Sequence, residues 1–149
     1  MEEYIVKVYK DRTEWYNKAN QHHRLDGPAV EYANGDKAWW LNGQLHRSDG
    51  PAVEDADGEK FWYKEGKLHR LDGPAVEWAN GGKHWYKNGQ LHRLDGPAVE
   101  YADGDKEWWV DGNKYTKKAF LEKTQPATEL TVVEIAKRLG INNLKIVKE

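Results

Sequence analysis

The chain contains no cysteine, one methionine and two phenylalanines among its 149 residues. Without cysteine it can form neither a disulfide framework nor a cysteine-ligated zinc site, which suits a reducing compartment and predicts a cytoplasmic protein. No run of residues approaches the ~18 apolar positions of a membrane span. The N-terminal sequence MEEY lacks a basic region followed by an apolar one, so we expect neither a signal peptide nor a membrane partner.

Leucine, isoleucine and valine are also scarce before residue 130, and the mean hydropathy is −1.00. The chain instead has eight tryptophans and eight tyrosines, which must provide most of the apolar packing. This composition predicts a thin amphipathic sheet rather than a thick two-layer core. The net charge of −2 gives no general attraction to phosphate backbones, so double-stranded nucleic acid is not an expected partner.

A 23-residue unit occurs four times without gaps, beginning at His23, His46, His69 and His92. The copies share an initial His-Arg pair, the hexapeptide Asp-Gly-Pro-Ala-Val-Glu, and later Gly, Lys, Trp and Gly residues. Internal repetition at a fixed period is the signature of a repeat protein. We predict a capping half-repeat over 1–22, four β-hairpin repeats over 23–114 and a C-terminal cap over 115–149.

Each repeat contains two turn signals, which in the first copy are Asn34-Gly35 and Asn42-Gly43. Asn-Gly and Asp-Gly favour two-residue type I′ turns, because both central residues take a positive φ. Short segments rich in Val, Tyr and Trp separate the turns. The predicted fold class is therefore mainly β, a single antiparallel sheet of about nine or ten sequential strands with a small α/β segment at the C-terminus.

A register follows if the first turn is a two-residue loop. Val30 then lies opposite Trp39, and Glu31 lies opposite Ala38. Because side chains alternate between faces, this register predicts an inner face formed by a Val–Trp ladder. The opposite face would contain Trp40 and the position of Ala38, which differs in every copy.

The two ends of the chain depart from the repeat. Residues 4–9 alternate like a strand, and Thr116 is suited to be the N-cap of a short helix. Thr131 and Glu134 form a capping box for a second helix over 131–139, and a final strand is expected over 144–147.

The segment WLNGQLH (40–46) and the following Gly50 resemble the MORN repeat, whose units have the same length and the core W-x-N-G-x-x-H-G-x-G. Here the residues after His are Arg-x-Asp-Gly-Pro-Ala instead of Gly-x-Gly. This HRxDGPAV variant resembles uncharacterised proteins of tailed bacteriophages and large DNA viruses, and more weakly MORN-like bacterial antitoxins. The resemblance implies a single twisted sheet used for binding, no catalytic residues and, for a phage protein, the host cytoplasm.

The repeated His, Arg and Asp residues have three interpretations. As scaffold, the Asp accepts hydrogen bonds in the turn and the Arg pairs with a neighbouring acid. As a ligand site, the evenly spaced arginines bind phosphates while aromatic side chains stack on bases. As a catalytic site, the His and Asp rows serve a hydrolase. The arginines in question are Arg24, Arg47, Arg70 and Arg93.

The leading hypothesis is a non-enzymatic, phage-encoded protein that binds a host protein to counter or modulate a bacterial defence. The alternatives are a sponge for a nucleotide immune signal, an antitoxin-like binder and, least favoured, a hydrolase. No cofactor and no metal are expected, and self-association is left open. The predicted binding residues include the four arginines. They also include aromatic or histidine side chains on the variable face: Phe61, Tyr63, His84, Tyr86, Trp40 and Trp109.

Overall fold

A computed structural model describes residues 3–124 and the single positions 137 and 140. Over these residues the chain forms seventeen strands and one helix, which confirms the predicted mainly β fold. The elements are β1 (Ile5–Val8), β2 (Arg12–Tyr16), β3 (Val30–Tyr32), β4 (Lys37–Ala38), β5 (Trp40–Leu41), β6 (Gln44–Leu45), β7 (Val53–Glu54), β8 (Lys60–Phe61), β9 (Tyr63–Lys64), β10 (Lys67–Leu68), β11 (Val76–Glu77), β12 (Lys83–His84), β13 (Tyr86–Lys87), β14 (Gln90–Leu91), β15 (Val99–Glu100), β16 (Lys106–Val110), β17 (Asn113–Tyr115) and α1 (Lys117–Thr124).

Eleven of the strands form one antiparallel sheet in the order β1-β2-β3-β4-β7-β8-β11-β12-β15-β16-β17. Each of the first three repeats also contributes a separate two-stranded hairpin, β5–β6, β9–β10 or β13–β14. The sheet is therefore a sequential meander, as predicted, but with more and shorter strands. A single residue, Trp39 in the first repeat, separates the strand in the main sheet from the strand in the hairpin.

The first turn of each repeat differs from the prediction. Tyr32 N donates to Asp36 O and Gly35 N donates to Tyr32 O, which closes a three-residue loop. Gly35 has a φ of 104°, whereas Asn34 has no positive φ. This is the pattern of a type I turn followed by a bulge glycine, not of a type I′ turn. The Asn-Gly pair is compatible with both, because both require glycine at its second position.

The second turn is confirmed as a two-residue type I′ turn. Asn42 and Gly43 have φ values of 49° and 77°, and Leu41 lies opposite Gln44 across them. Glu65 occupies the position of Asn42 in the second repeat with a φ of 52°. The conformation is thus maintained even where a less favourable residue occupies the turn.

The extra loop residue makes the predicted register and faces wrong. Val30 lies opposite Ala38, not Trp39, and Glu31 lies opposite Lys37. The same pairing continues across the sheet, with Val53 opposite Phe61. The repeated valines therefore share a face with the variable residues at the position of Ala38, while the repeated tryptophans lie on the other face.

Small side chains at the centre of this sheet make up most of the buried apolar residues. Ala29, Ala52, Ala75 and Ala98 are completely buried. Val76 and Val99 are each 2 % exposed, although one sheet alone forms most of the described fold. Larger neighbours, such as Phe61 opposite Val76, help to exclude the solvent, which is how a thin sheet buries its apolar groups.

The described segments on either side of the repeats have their own elements. β1 and β2 precede the repeats, and Ala119 N donates to Thr116 Oγ1 at the N-terminus of α1, which confirms the N-cap. Phe120 of α1 is 2 % exposed and packs where the helix contacts β16 and β17. The predicted elements at 131–139 and 144–147 lie outside the described residues, apart from Lys137. Within the described residues, no helix is long and apolar enough to cross a bilayer.

Candidate binding surfaces

One face of the sheet contains a repeated stack of arginine on tryptophan, which we call the Trp–Arg face. The Arg47 guanidinium lies 4.0 Å above the centroid of the Trp39 ring, and the same stack recurs through the chain. Because Trp39 belongs to one repeat and Arg47 to the next, the stack joins neighbouring repeats. The pairs are Trp15–Arg24, Trp39–Arg47, Trp62–Arg70 and Trp85–Arg93.

Each arginine is also held by two carboxylates and a carbonyl. In the third repeat, Arg70 Nε donates to Asp72 at 2.9 Å, and Nη1 donates to Pro74 O at 3.2 Å and to Glu77 at 3.1 Å. The hydrogen bond from Arg70 lowers the pKa of the Asp72 carboxyl. The charge of the arginine is largely balanced within its own repeat, so the row offers little free positive charge to a phosphate.

The glycine of the Asp-Gly-Pro motif has a different role from the one expected. Gly73 has no positive φ, so it is not needed for a turn conformation. A Cβ atom placed on Gly73 would instead lie 2.9 Å from Cζ of Arg70. The guanidinium thus packs directly on the glycine backbone, and the motif selects glycine for close approach.

The repeated histidines contact the second turn of their own repeat. Asn88 N donates to His69 Nδ1 at 3.0 Å, and the equivalent bond occurs in the other three repeats. Each bond satisfies the first backbone N–H of the type I′ turn. This geometry supports the scaffold interpretation of the His row. Within the described residues, no three His, Asp or Glu side chains converge as metal ligands.

Shallow grooves separate successive loops on the Trp–Arg face. The groove between the third and fourth repeats has a volume of about 550 Å³, and its lining includes Trp85, Arg70 and Arg93. Two further grooves of similar volume lie between the first and second and between the second and third repeats. Their walls are largely the repeated scaffold residues, so the grooves resemble one another.

The opposite face, which we call the aromatic face, has a contiguous cluster of rings at its centre. The Phe61 and Trp78 rings meet edge to face at 5.4 Å between centroids, and Trp78 lies 5.9 Å from His84. His84 in turn lies 6.0 Å from Tyr101 and 6.4 Å from Tyr86. Such edge contacts fix the rings relative to one another. Tyr63, which occupies the position of Tyr86 in the preceding repeat and acts on the pKa of Tyr86, is included with these rings. The cluster comprises Phe61, Tyr63, Trp78, His84, Tyr86 and Tyr101.

The cluster is partly desolvated but remains accessible. Tyr101 is 45 % exposed, and the other rings are intermediate in exposure. Burial lowers the pKa of His84 against the opposing effect of Glu107, and burial raises the pKa of Tyr86. Both shifts favour the uncharged forms near neutral pH, so these groups present neutral rings to the solvent.

Polar clusters end the aromatic face at both sides. At the N-terminal side, Glu14 accepts hydrogen bonds from Arg12 and Tyr16. Burial acts to raise the pKa of the Glu14 carboxyl, but these bonds outweigh it and the pKa is lowered, while the pKa of Tyr16 rises to about 12. At the C-terminal side, Glu107 accepts from Trp109 Nε1 at 2.8 Å.

The structure separates the predicted binding residues into three groups. Phe61, Tyr63, His84 and Tyr86 lie in the central cluster, on the same face as the valines and not opposite them as predicted. Trp40 lies near His22, with centroids 5.4 Å apart, and Trp109 belongs to the C-terminal polar cluster. The four arginines lie on the Trp–Arg face.

Two cluster members, Trp78 and Tyr101, were missing from the predicted set. Both occupy the position of Tyr32, which varies among the repeats as the position of Ala38 does. That variation was the available signal. The incorrect register placed these residues on the face of the Val–Trp ladder, away from the other aromatic side chains.

No protein-family model and no curated protein matches the chain.

Proposed function

We propose that this protein is a non-enzymatic binding protein that recognises another protein through its aromatic face. The observation that supports this proposal is the contiguous, half-exposed ring cluster at positions where the four repeats differ. Tyrosine and tryptophan are enriched among the residues that dominate binding energy. A non-repeating surface on a repeating scaffold also gives a partner a single place to bind.

The charge distribution favours a protein over a nucleotide. The cluster itself has no cationic side chain. The lysines next to it in sequence, such as Lys60 and Lys83, lie on the opposite face, where each is the cross-strand partner of Glu77. The arginines are paired with carboxylates on that same opposite face. Among the described residues, Lys114 at the C-terminal end of the aromatic face is already paired with Glu107. A phosphate would therefore find little free counter-charge beside the described rings, and a mainly apolar protein surface is the better fit.

The histidine and aspartate rows that a hydrolase would use are bound to turn amides and to arginines in every repeat. Their even repetition favours a structural role over a single catalytic centre. The finer proposal follows from the resemblance to MORN-like proteins of tailed bacteriophages. On that reading the protein acts in the host cytoplasm, and its partner is a host protein whose defence function it blocks or modulates.

The test combines affinity capture from bacterial lysate with two charge substitutions, Tyr63→Glu and Tyr86→Glu. We expect wild-type protein to retain a stoichiometric protein partner and both variants to lose it. Gln90→Glu is the matched control, because Gln90 is exposed on the neighbouring strand and the substitution adds the same charge outside the cluster. Thermal unfolding first establishes that all three variants are folded.

Two results would overturn the proposal. Partner binding that survives both tyrosine substitutions would place the interface elsewhere, with the Trp–Arg grooves as the next surface to examine. Calorimetric binding of a cyclic nucleotide to the purified protein, lost in Arg70→Gln but retained in Tyr86→Glu, would favour the nucleotide sponge.

A further inference from the structure

The three grooves on the Trp–Arg face form a row with a fixed spacing. Successive His-Arg-x-Asp-Gly-Pro loops enclose them, and each is lined by one tryptophan, Trp39, Trp62 or Trp85. Each repeat adds two strands to the main sheet, so equivalent points of neighbouring grooves are ~9.6 Å apart. A ligand that fills all three grooves in the same way must repeat at this distance.

The grooves offer hydrogen-bond donors that have no acceptor among the described residues. Over residues 3–124, the only indole N–H group that donates a hydrogen bond is that of Trp109, and the only buried one without an acceptor is that of Trp40. The indole N–H groups of the groove tryptophans are therefore open to the solvent. The histidine supplies a second donor, because His69 Nδ1 accepts from Asn88 N and its proton must then be on Nε2.

Exposed leucines form the rims of the grooves. Leu25 is 65 % exposed, Leu71 79 % and Leu94 55 %. They occupy equivalent positions in three of the loops, and Ser48 occupies that position in the second repeat. Leu71 lines two grooves, because its loop separates them. Since the charge of each arginine is largely balanced within its repeat, the grooves favour an uncharged ligand that combines apolar groups with hydrogen-bond acceptors.

We propose that this row of grooves binds a proline-rich segment of another protein in the polyproline II conformation. This inference goes beyond the proposed function and does not depend on it. A polyproline II helix has three residues per turn and rises ~3.1 Å per residue, so every third side chain lies on the same side at intervals of ~9.3 Å. A β-strand repeats on one face after ~6.6 Å and an α-helix completes a turn after ~5.4 Å, so neither matches the spacing of the grooves.

The chemistry of a proline-rich segment also matches the grooves. Proline has no N–H group, and the polyproline II backbone makes no internal hydrogen bonds, so its carbonyl groups are free acceptors. In the complex, the indole and imidazole N–H groups donate to these carbonyls, and the prolyl rings pack on tryptophan and leucine. Aromatic-lined grooves are a general means of binding such segments.

The chain's own C-terminal sequence lacks these properties. Residues 125–149 contain a single proline, Pro126, and no three-residue repeat. Three equivalent grooves require a ligand with equivalent units, so the segment that matches them belongs to another protein.

Isothermal titration calorimetry of the full chain with oligoprolines of four, seven and ten residues tests the period. Since three residues span the interval between grooves, four residues reach two grooves and seven reach three. We expect the affinity to rise about tenfold from four to seven residues and to change little from seven to ten, because linked sites gain through effective concentration. A flexible ten-residue Gly-Ser peptide is the control and should not bind.

A reciprocal pair of substitutions tests the groove rims. Leu71→Ser should weaken binding of the seven-residue oligoproline about tenfold, because it removes apolar surface from two grooves. Ser48→Leu makes the reverse change at the equivalent position, which also lines two grooves, and should strengthen binding. Val8→Ser is the matched control, because Val8 is 76 % exposed in β1 and lines none of the three grooves.

The indole signals in proton–nitrogen correlation spectra locate the ligand on the protein. The seven-residue oligoproline should shift the N–H signals of Trp39, Trp62 and Trp85 and leave that of Trp78, on the aromatic face, unchanged. Trp62→Phe assigns one of these signals and retains a ring beneath Arg70.

Any of four results would overturn the proposal: no saturable binding of the seven-residue oligoproline, equal affinities for four and seven residues, no effect of Leu71→Ser, or shifts confined to Trp78. Binding of a neutral linear glycan in the grooves without binding of oligoproline would also overturn it and would assign the grooves to that ligand. None of these results depends on the Tyr63 and Tyr86 substitutions, so the two proposals fail independently.

Discussion

The two faces of the sheet are built from the same repeats, yet one is constant and the other is not. On the Trp–Arg face, each repeat contributes the same tryptophan, arginine and glycine, because the stack of Arg70 on Trp62 is itself the joint between repeats. On the aromatic face only the valine is constant, and its neighbours range from Ala38 through Phe61 and His84 to Glu107. The comparison teaches that a tandem array requires identity only where its units join, which leaves the other face free to acquire a specific surface.

The sharpest test of this comparison uses adjacent residues on opposite faces. Trp62→Ala removes both an aromatic ring and the platform of Arg70, and we expect a loss of about 3 kcal/mol in the free energy of unfolding. Phe61→Ala removes a half-buried ring with one edge contact to Trp78, and we expect a loss of about 1–2 kcal/mol. Urea titration measures both, and equal losses would contradict the distinction between a joining face and a free face.

The glycine contact gives a second, smaller effect on the Trp–Arg face. Gly73→Ala should destabilise the protein by about 1–3 kcal/mol, because the added methyl group would lie 2.9 Å from Arg70 Cζ. The cost should fall sharply in an Arg70→Ala background, where the clash is absent. A double-mutant cycle measures this coupling, and additive effects would show that the glycine is required for another reason.

The smallest expected effect concerns the aromatic face and pH. Burial lowers the pKa of His84 in the folded protein, with Glu107 opposing. The unfolded chain, whose histidine has a pKa of about 6.5, therefore takes up the proton at a higher pH than the folded chain. The stability that neutral His84 contributes is complete above the pKa of the unfolded chain. It is lost as the pH falls from there towards the lowered pKa of the folded protein.

We expect wild type to lose more stability between pH 7.5 and pH 5 than His84→Gln does, as measured by denaturant midpoints. Glu107→Gln should enlarge the loss, because it removes the carboxylate that favours protonated His84. Parallel pH profiles for wild type and His84→Gln would indicate that the ring cluster does not hold the imidazole in its neutral form.

Much of the fold was predictable because its determinants are local. The 23-residue period, the strand between the Asp-Gly-Pro motif and the first turn, and the N-cap at Thr116 all follow from short sequence patterns. The second turn was correct since Asn42-Gly43 is flanked by residues that pair directly across it. The candidate site was only partly predictable. The first turn, at Gly35 in the first repeat, is one residue longer than predicted, and the resulting shift in register assigned Trp78 and Tyr101 to the wrong face.

The sequence by itself determined how many units there are, that each is a pair of hairpins, and which residues are constant. Only the tertiary structure decided the face of each residue. Asn34-Gly35 permits either a two-residue or a three-residue loop, and the choice is stabilised by contacts with other parts of the chain, such as Ala33 N to Asp11 O and Ala56 N to Asp36 Oδ1. Because strand side chains alternate, that one choice moved the tryptophans to the arginines and the valines to the aromatic face.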